Sequence, residues 1–88
     1  MDTPTVETRP TIVTRYHSPT NYRGARISAR TASGLRLIVS YEHALSDTEN
    51  HGAAAVALAR KLNWIDTNGA RLCGGDLRDG ERVFVIVR

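Results

Sequence analysis

The stretch from Arg9 to Arg36 contains the residues of this chain whose types and spacing could do chemistry. It holds six arginines, at positions 9, 15, 23, 26, 30 and 36, and no Asp or Glu. Tyr16, His17 and Tyr22 are interleaved with them. Arginine presents a planar fork of donors that fits phosphate or carboxylate, and it also stacks on aromatic rings. This stretch therefore predicts a surface that binds an anionic partner.

The charge of the chain is unevenly distributed. Residues 1–46 hold six arginines against three acidic residues, whereas residues 47–88 hold six basic residues against six acidic ones. The formal net charge of +3 therefore comes from the first half. A GC-rich coding sequence would explain why arginine outnumbers lysine, but it does not explain why one half lacks acids.

Metal and catalytic sites are not predicted. The histidines at 17, 43 and 51 and the single cysteine, Cys73, form no paired ligand motif, so we expect no metal. Nothing near Cys73 marks it as a reactive thiol, and we expect it in the core. Gly74-Gly75-Asp76 lacks the spacing and the lysine of a phosphate loop. We therefore expect neither an enzyme nor a cofactor.

Length and composition are typical of one small globular domain. The chain has 88 residues, of which 41% are apolar and 24% are charged. Residues 1–10 are predicted to form a flexible arm, and residues 11–88 a single α+β domain. The sequence contains no apolar stretch typical of a membrane span or a secretory signal, and one cysteine suits a reducing compartment. We expect a cytoplasmic protein without a membrane partner.

Strands are predicted on both sides of one helix. Residue alternation and β-branched content predict strands over 11–17, 25–31 and 35–41, a weaker strand over 70–77, and a last strand over 82–88. Turns are predicted at residues 18–21, 32–34, 68–69 and 79–80. The acids at 66, 76, 79 and 81 are expected to be turn and surface residues.

The helix is the strongest local signal. Ser46-Asp47-Thr48-Glu49 matches a capping box, and good helix formers follow through Leu62. The residues Ala55, Leu58, Leu62 and Ile65 repeat at the spacing of one buried stripe. His51 is expected on the buried side, and Trp64 is expected to plug the core at the helix end.

These elements predict an α+β fold in the order βββαββ, with an antiparallel sheet of four to five strands and the helix on one face. The other face is then open. Alternation places Arg26, Arg30 and Arg36 on that open face, with Arg23 in the adjoining loop and Arg15 as a further candidate. The alternative is a solvated face on which the arginine stems cover Ile38 or Phe84.

Part of the sequence has a recognisable pattern. The segment 19–27 reads Pro-Thr-Asn-Tyr-Arg-Gly-Ala-Arg-Ile, and it is followed by Tyr41-Glu42-His43-Ala44-Leu45, Glu49-Asn50-His51 and Leu62-Asn63-Trp64. Over residues 14–64 the chain resembles a group of small uncharacterised proteins from phages, plasmids and integrated mobile elements. That group has no established activity, so the resemblance assigns no functional residue. It implies an accessory protein of a mobile element, a context in which anti-CRISPR inhibitors are prominent.

The leading hypothesis is a non-enzymatic anti-CRISPR-type inhibitor. It would bind a host defence protein or ribonucleoprotein and sterically block nucleic-acid access, with contacts at Tyr22, Arg23, Arg26, Arg30 and Arg36. The alternative is a direct nucleic-acid-binding protein that uses the same arginines, with base stacking on Tyr16 or Tyr22. A third hypothesis is a homodimer joined through the open face by Ile38, Phe84 and Ile86.

Overall fold

The first of the described strands lies at the centre of the sheet. The computed structural model describes residues 10–64 and 71–87. The elements are β1 (Thr11–His17), β2 (Arg26–Thr31), β3 (Arg36–Ser40), α1 (Asp47–Lys61), β4 (Arg71–Arg78) and β5 (Glu81–Val87). The strands form one antiparallel sheet in the order β3-β2-β1-β5-β4, which confirms the predicted fold class.

The predicted elements agree closely with the observed ones. The bounds of β1 are those predicted, and each end of the other strands differs from its prediction by at most one residue. The predicted arm up to Thr8, together with Arg9, the stripe residue Ile65 and the turn at 68–69, lies outside the described residues.

Glycines allow the two tight hairpins of the sheet. Gly34, in the connection between β2 and β3, has a φ of 95°, and Gly80, between β4 and β5, has a φ of 76°. Side chains with a Cβ rarely adopt these values. The Asp79-Gly80 turn thus joins β4 to β5 as predicted.

Both ends of α1 are capped by their own sequence. The Ser46 hydroxyl accepts a hydrogen bond from the Glu49 amide at 3.1 Å, and the Glu49 carboxylate accepts one from the Ser46 amide at 3.1 Å. This confirms the capping box. At the other end Asn63 has a φ of 58°, and the Trp64 amide donates to the Ala59 carbonyl at 2.9 Å. That pattern is a Schellman motif, which ends the helix.

The helix packs on one face of the sheet through small residues. Its buried residues include Ala54, Ala55, Leu58 and Ala59, and the alanines let it lie close to the strands. The core cluster consists of these four together with Ile12, Ile27, Ala29 and Phe84. Trp64 is half-buried against this cluster, at the end of the helix where a core plug was predicted. We call the helix-bearing side the covered face and the opposite side the open face.

The homodimer hypothesis placed two residues of β5 on the wrong face. Phe84 and Ile86 are 8% and 3% exposed and lie on the covered face. The reason is register: Phe84 is paired with Ile12, and residues paired across antiparallel strands project to the same side. Of the three residues proposed for that interface, Ile38 alone lies on the open face, where it is 42% exposed.

The prediction that Cys73 lies in the core is also wrong. Cys73 is exposed, because it is paired with Val85 on the open face of the edge strand β4. Its neighbour Gly74 lies on the covered face, where an added Cβ would be 2.7 Å from the ring of Phe84.

Within residues 10–64 and 71–87, no helix is long and apolar enough to cross a membrane.

Candidate binding face of the sheet

Three neighbouring strands bring four arginines to the open face. Arg30 is paired with Arg36, Arg26 with Ser40, and Arg15 with Ser28. Partners across the ladder share a side of the sheet, so all four project away from α1. We call this set, Arg15, Arg26, Arg30 and Arg36, the arginine face. The predicted residues Arg26, Arg30 and Arg36 therefore lie on one surface, and Arg15 lies with them.

Most of the arginine face lacks an acidic partner. In the described part of the chain, no carboxylate lies within ion-pair distance of Arg15, Arg26 or Arg36. The guanidinium of Arg26 donates to the Gly24 carbonyl at 3.4 Å, a long hydrogen bond that leaves its other donors available. These charges are therefore free to meet an anionic ligand.

Glu81 is an acidic residue on the same face. Its side chain is only 5% exposed; it accepts a hydrogen bond from Arg78, and its carboxylate is 3.7 Å from the guanidinium of Arg30. The hydrogen bond from Arg78, followed by the charges of Arg30 and Arg15, lowers the pKa of Glu81 although burial opposes this. The carboxylate thus stays ionised. It is an internal partner for Arg30 and Arg78, which are therefore less available to an anionic ligand.

The sequence did not reveal the position of Glu81. It follows the Asp79-Gly80 turn, where an acid is expected to be solvated, and the residue is instead 6% exposed. It is contacted by Arg78, its partner on the neighbouring strand β4, and by Arg30 on β2, which lies two strands away. No local pattern in the sequence signals that arrangement.

His17 lies between the arginines and is held by Ser28. The imidazole Nε2 is 2.8 Å from the Ser28 hydroxyl. Burial lowers the pKa of His17 most, and the charges of Arg26, Arg15 and Arg36 lower it further, so the ring is neutral near pH 7. A serine beside a neutral histidine has the composition of a nucleophile and base, but Ser28 is only 4% exposed beneath the arginines. The contact between His17 and Ser28 therefore holds the imidazole in place among the arginines.

The loop from residue 18 to residue 25 extends the arginine face at one end. The Thr20 hydroxyl accepts hydrogen bonds from the amides of Tyr22 at 3.2 Å and Arg23 at 3.0 Å. The Thr20 amide donates in turn to the Arg23 carbonyl at 2.7 Å. These bonds fix the loop backbone, while the Tyr22 side chain is 95% exposed. Tyr22 and Arg23 therefore lie in an ordered loop, a few residues before the start of β2 at Arg26.

Tyr16, the other aromatic candidate for base stacking, is not available on this surface. It alternates with Arg15 and His17 and so lies on the covered face. Its ring makes an edge contact with that of Tyr41, with 5.4 Å between centroids, and it packs against the core. The prediction that Tyr16 could stack on a ligand is therefore wrong.

The covered face pairs its charges. Arg82 lies 3.2 Å from the carboxylate of Asp47 on the helix and 3.2 Å from that of Asp76 on β4. His51 is 1% exposed, and its Nδ1 is 2.6 Å from the Thr14 hydroxyl, which confirms its predicted place on the buried side. Burial lowers the pKa of His51 more than the nearby Asp47 raises it.

Among the described residues, no His, Cys, Asp or Glu cluster could hold a metal.

Asn50 belongs to the sequence pattern described above, and the structure shows what it does there. Its amide oxygen accepts from the Glu42 amide at 2.7 Å, and its amide nitrogen donates to the Glu42 carbonyl at 2.9 Å. It thereby anchors the segment 41–46 to the helix. Asn50 and His51 are thus folding residues, whereas Tyr22 and Arg23 in the first part of the pattern are exposed.

Comparison with known proteins gives no assignment: no family model, no curated protein and no solved structure matches the chain.

Proposed function

We propose that the protein is a non-enzymatic nucleic-acid-binding protein that docks phosphates on its arginine face. The observation that carries this proposal is the set Arg15, Arg26 and Arg36, which projects from adjacent strands and has no acidic partner among residues 10–64 and 71–87. Arginine contacts to phosphate supply affinity without reading sequence. A flat strand surface offers several such contacts at once.

The positive charge of the arginine face favours nucleic acid as its direct ligand. It disfavours the groove in which a defence protein holds its own nucleic acid. A defence protein that holds nucleic acid does so with a basic channel, and a basic surface placed in that channel would be repelled. A cationic face is instead complementary to the nucleic acid itself. We therefore place direct binding before the inhibitor hypothesis that the sequence suggested first.

The inhibitor remains the second candidate, and two observations favour it. The sequence resembles proteins of phages and plasmids over residues 14–64, and Tyr22 is a large aromatic side chain that is 95% exposed. Exposed tyrosine and arginine are typical anchors of protein interfaces. In this proposal the protein acts in the host cytoplasm, and Tyr22 and Arg23 contact a defence protein beside its bound nucleic acid.

The first test measures how binding depends on salt. We expect the affinity for a labelled oligonucleotide, followed by fluorescence anisotropy, to fall steeply between about 50 mM and about 200 mM salt. The double variant Arg26→Ala, Arg36→Ala should reduce the slope of log K against log salt by about 1.4 to 1.8, since each phosphate contact contributes about 0.7 to 0.9.

The matched control changes charge elsewhere. Arg60 is exposed in the last turn of α1, and Arg60→Ala should leave the slope nearly unchanged. Absence of binding at low salt, or equal slopes for the double variant and the wild type, would refute the proposal. A pull-down from nuclease-treated host lysate then tests the second candidate, which predicts that a defence protein is recovered and that Tyr22→Ala abolishes the recovery.

A further inference from the structure

We infer that the ligand of the arginine face is single-stranded nucleic acid, with Tyr22 as the platform on which an unpaired base stacks. This inference rests on the proposed function and narrows it. It depends on how Tyr22 is held, on the line that the arginines follow, and on the absence of a groove-reading element beside them in the described structure.

Tyr22 is exposed on a loop whose backbone is fixed. Its side chain is 95% exposed, and it has no ring contact in the described part of the chain. Its amide and that of Arg23 are both bound by the Thr20 hydroxyl, so the loop is organised before a ligand arrives. A preformed aromatic platform loses less entropy on binding than one on an unstructured loop. An exposed ring that packs on no other residue of the described structure is suited to stack on a ligand.

The arginines of β2 and β3 follow the strands toward the loop that carries this ring. Arg30 and Arg36 are paired at one end of β2 and β3, and Arg26 starts β2 at the other end. Arg30 lies four residue steps along the strand from Arg26, which is about 13 Å at roughly 3.3 Å per residue. The chain that precedes Arg26 then carries Arg23 and Tyr22. A backbone that follows these arginines would bring its bases to Tyr22, which is how proteins without sequence preference hold single strands.

In the described part of the chain, no helix lies on this surface to read a duplex. A helix or a two-stranded ribbon must enter the major groove to read paired bases. Here α1 is packed on the covered face, and the tip of the β2–β3 hairpin, Ala32-Ser33-Gly34, carries no charged side chain. The ring of Tyr22 can stack only on a base that is not already stacked on both sides. Phosphate contacts would let a duplex bind, but without the contribution of the tyrosine.

Phosphate contact and base stacking are common to single-stranded DNA and single-stranded RNA. The test therefore compares three labelled ligands of the same sequence: a DNA single strand, an RNA single strand and the DNA duplex. Wild type, Tyr22→Ala and Tyr22→Phe are titrated with each by fluorescence anisotropy. Tyr22→Phe keeps the ring and serves as the control, and thermal melts check that both variants are folded.

We expect the single strands to bind more tightly than the duplex. Tyr22→Ala should weaken single-strand binding by about five-fold or more, the lower end of what a stacked base contributes. Tyr22→Phe should bind like the wild type, and neither variant should change duplex binding. The salt slope should be the same for Tyr22→Ala and wild type, because stacking releases no counterions. A difference between DNA and RNA would identify which of them the protein prefers.

Each failure has a distinct meaning. If the duplex binds as tightly as the single strands, or if Tyr22→Ala binds them like the wild type, the inference is overturned and the proposed function stands. If Tyr22→Phe loses as much affinity as Tyr22→Ala, the hydroxyl and not the ring makes the contact, and stacking is overturned. If no ligand binds at low salt, both the inference and the proposed function fail.

Discussion

The two faces of the sheet differ in whether their arginines have carboxylate partners. On the covered face, Arg82 lies 3.2 Å from each of two carboxylates, those of Asp47 and Asp76. On the open face of the described structure, Arg15, Arg26 and Arg36 have no carboxylate within ion-pair distance. A charge partly removed from water costs free energy unless it is paired, so Arg82 is neutralised beside the helix. The unpaired arginines keep their water and remain available to a ligand.

The largest effect is expected from a core substitution, which tests whether side chains on the covered face contribute more to the stability of the fold than those on the open face. Leu58 is 1% exposed at the centre of the core. Leu58→Ala should lower the free energy of unfolding by about 2–5 kcal/mol, since it removes buried methyl groups and leaves a cavity. Urea unfolding followed by tryptophan fluorescence measures this. Ile38→Ala on the open face, where the side chain is 42% exposed, should cost less than about 1 kcal/mol. Equal losses would contradict the comparison.

Substitutions at two adjacent glycines of β4 compare the packing of the covered face with that of the open face. A Cβ at Gly74 would lie 2.7 Å from the Phe84 ring, whereas a Cβ at Gly75 would meet nothing within 4 Å. Gly74→Ala should therefore destabilise the protein by about 1–3 kcal/mol through overpacking. Gly75→Ala should change the free energy of unfolding by no more than about 0.5 kcal/mol. Thermal unfolding of the two variants side by side checks this, and a larger loss for Gly75→Ala would show that the strand register is different.

Acid should weaken the fold through one histidine on each face. The pKa values of His51 and His17 are both lowered from about 6.5, chiefly by burial. Below about pH 6.5 the unfolded chain then binds more protons than the folded one, so the free energy of unfolding falls as the pH falls. Urea unfolding at about pH 7.5, 6.5 and 5.5 measures the trend.

The variant His17→Gln separates the two contributions. It should reduce the pH dependence without removing it, because His51 on the covered face remains neutral in the folded protein. Stability that is unchanged or higher at the lowest pH would exclude both histidines as the cause.

The smallest expected effect concerns the acid of the open face. Glu81→Gln should raise the affinity for a single strand by up to about five-fold at low salt, because Arg30 and Arg78 lose their carboxylate partner. Asp76→Asn on the covered face changes the net charge by the same amount and is the matched control. An equal gain for both variants would show that net charge, and not the arrangement of the open face, sets the affinity.

Clean alternation was the signal that located the arginines. In β2 the apolar residues Ile27 and Ala29 alternate with Arg26, Ser28 and Arg30, and the structure keeps that division. The capping box at Ser46 and the Asp79-Gly80 turn were equally readable, because each depends on residues close together in the chain.

The misplaced residues lacked such a pattern. β5 is apolar on both faces, so its own sequence does not say which of Val83 and Phe84 points inward; the pairing of Phe84 with Ile12 decides it. Cys73 stands before two glycines in a strand with no alternation to orient it. Their positions depend on contacts between strands far apart in sequence.

The strand order also constrains how the chain folds as it is made. β1 is synthesised first, yet it needs β5, the last of the described strands, along one of its edges. The hairpin of β2 and β3 and the helix can form early, since their contacts are local. Until β5 emerges from the ribosome, however, β1 has an unpaired edge beside an incomplete core, which is an aggregation hazard. We therefore expect folding to be completed only after β5 has been translated, when β1, the first of the described strands, becomes central in the sheet.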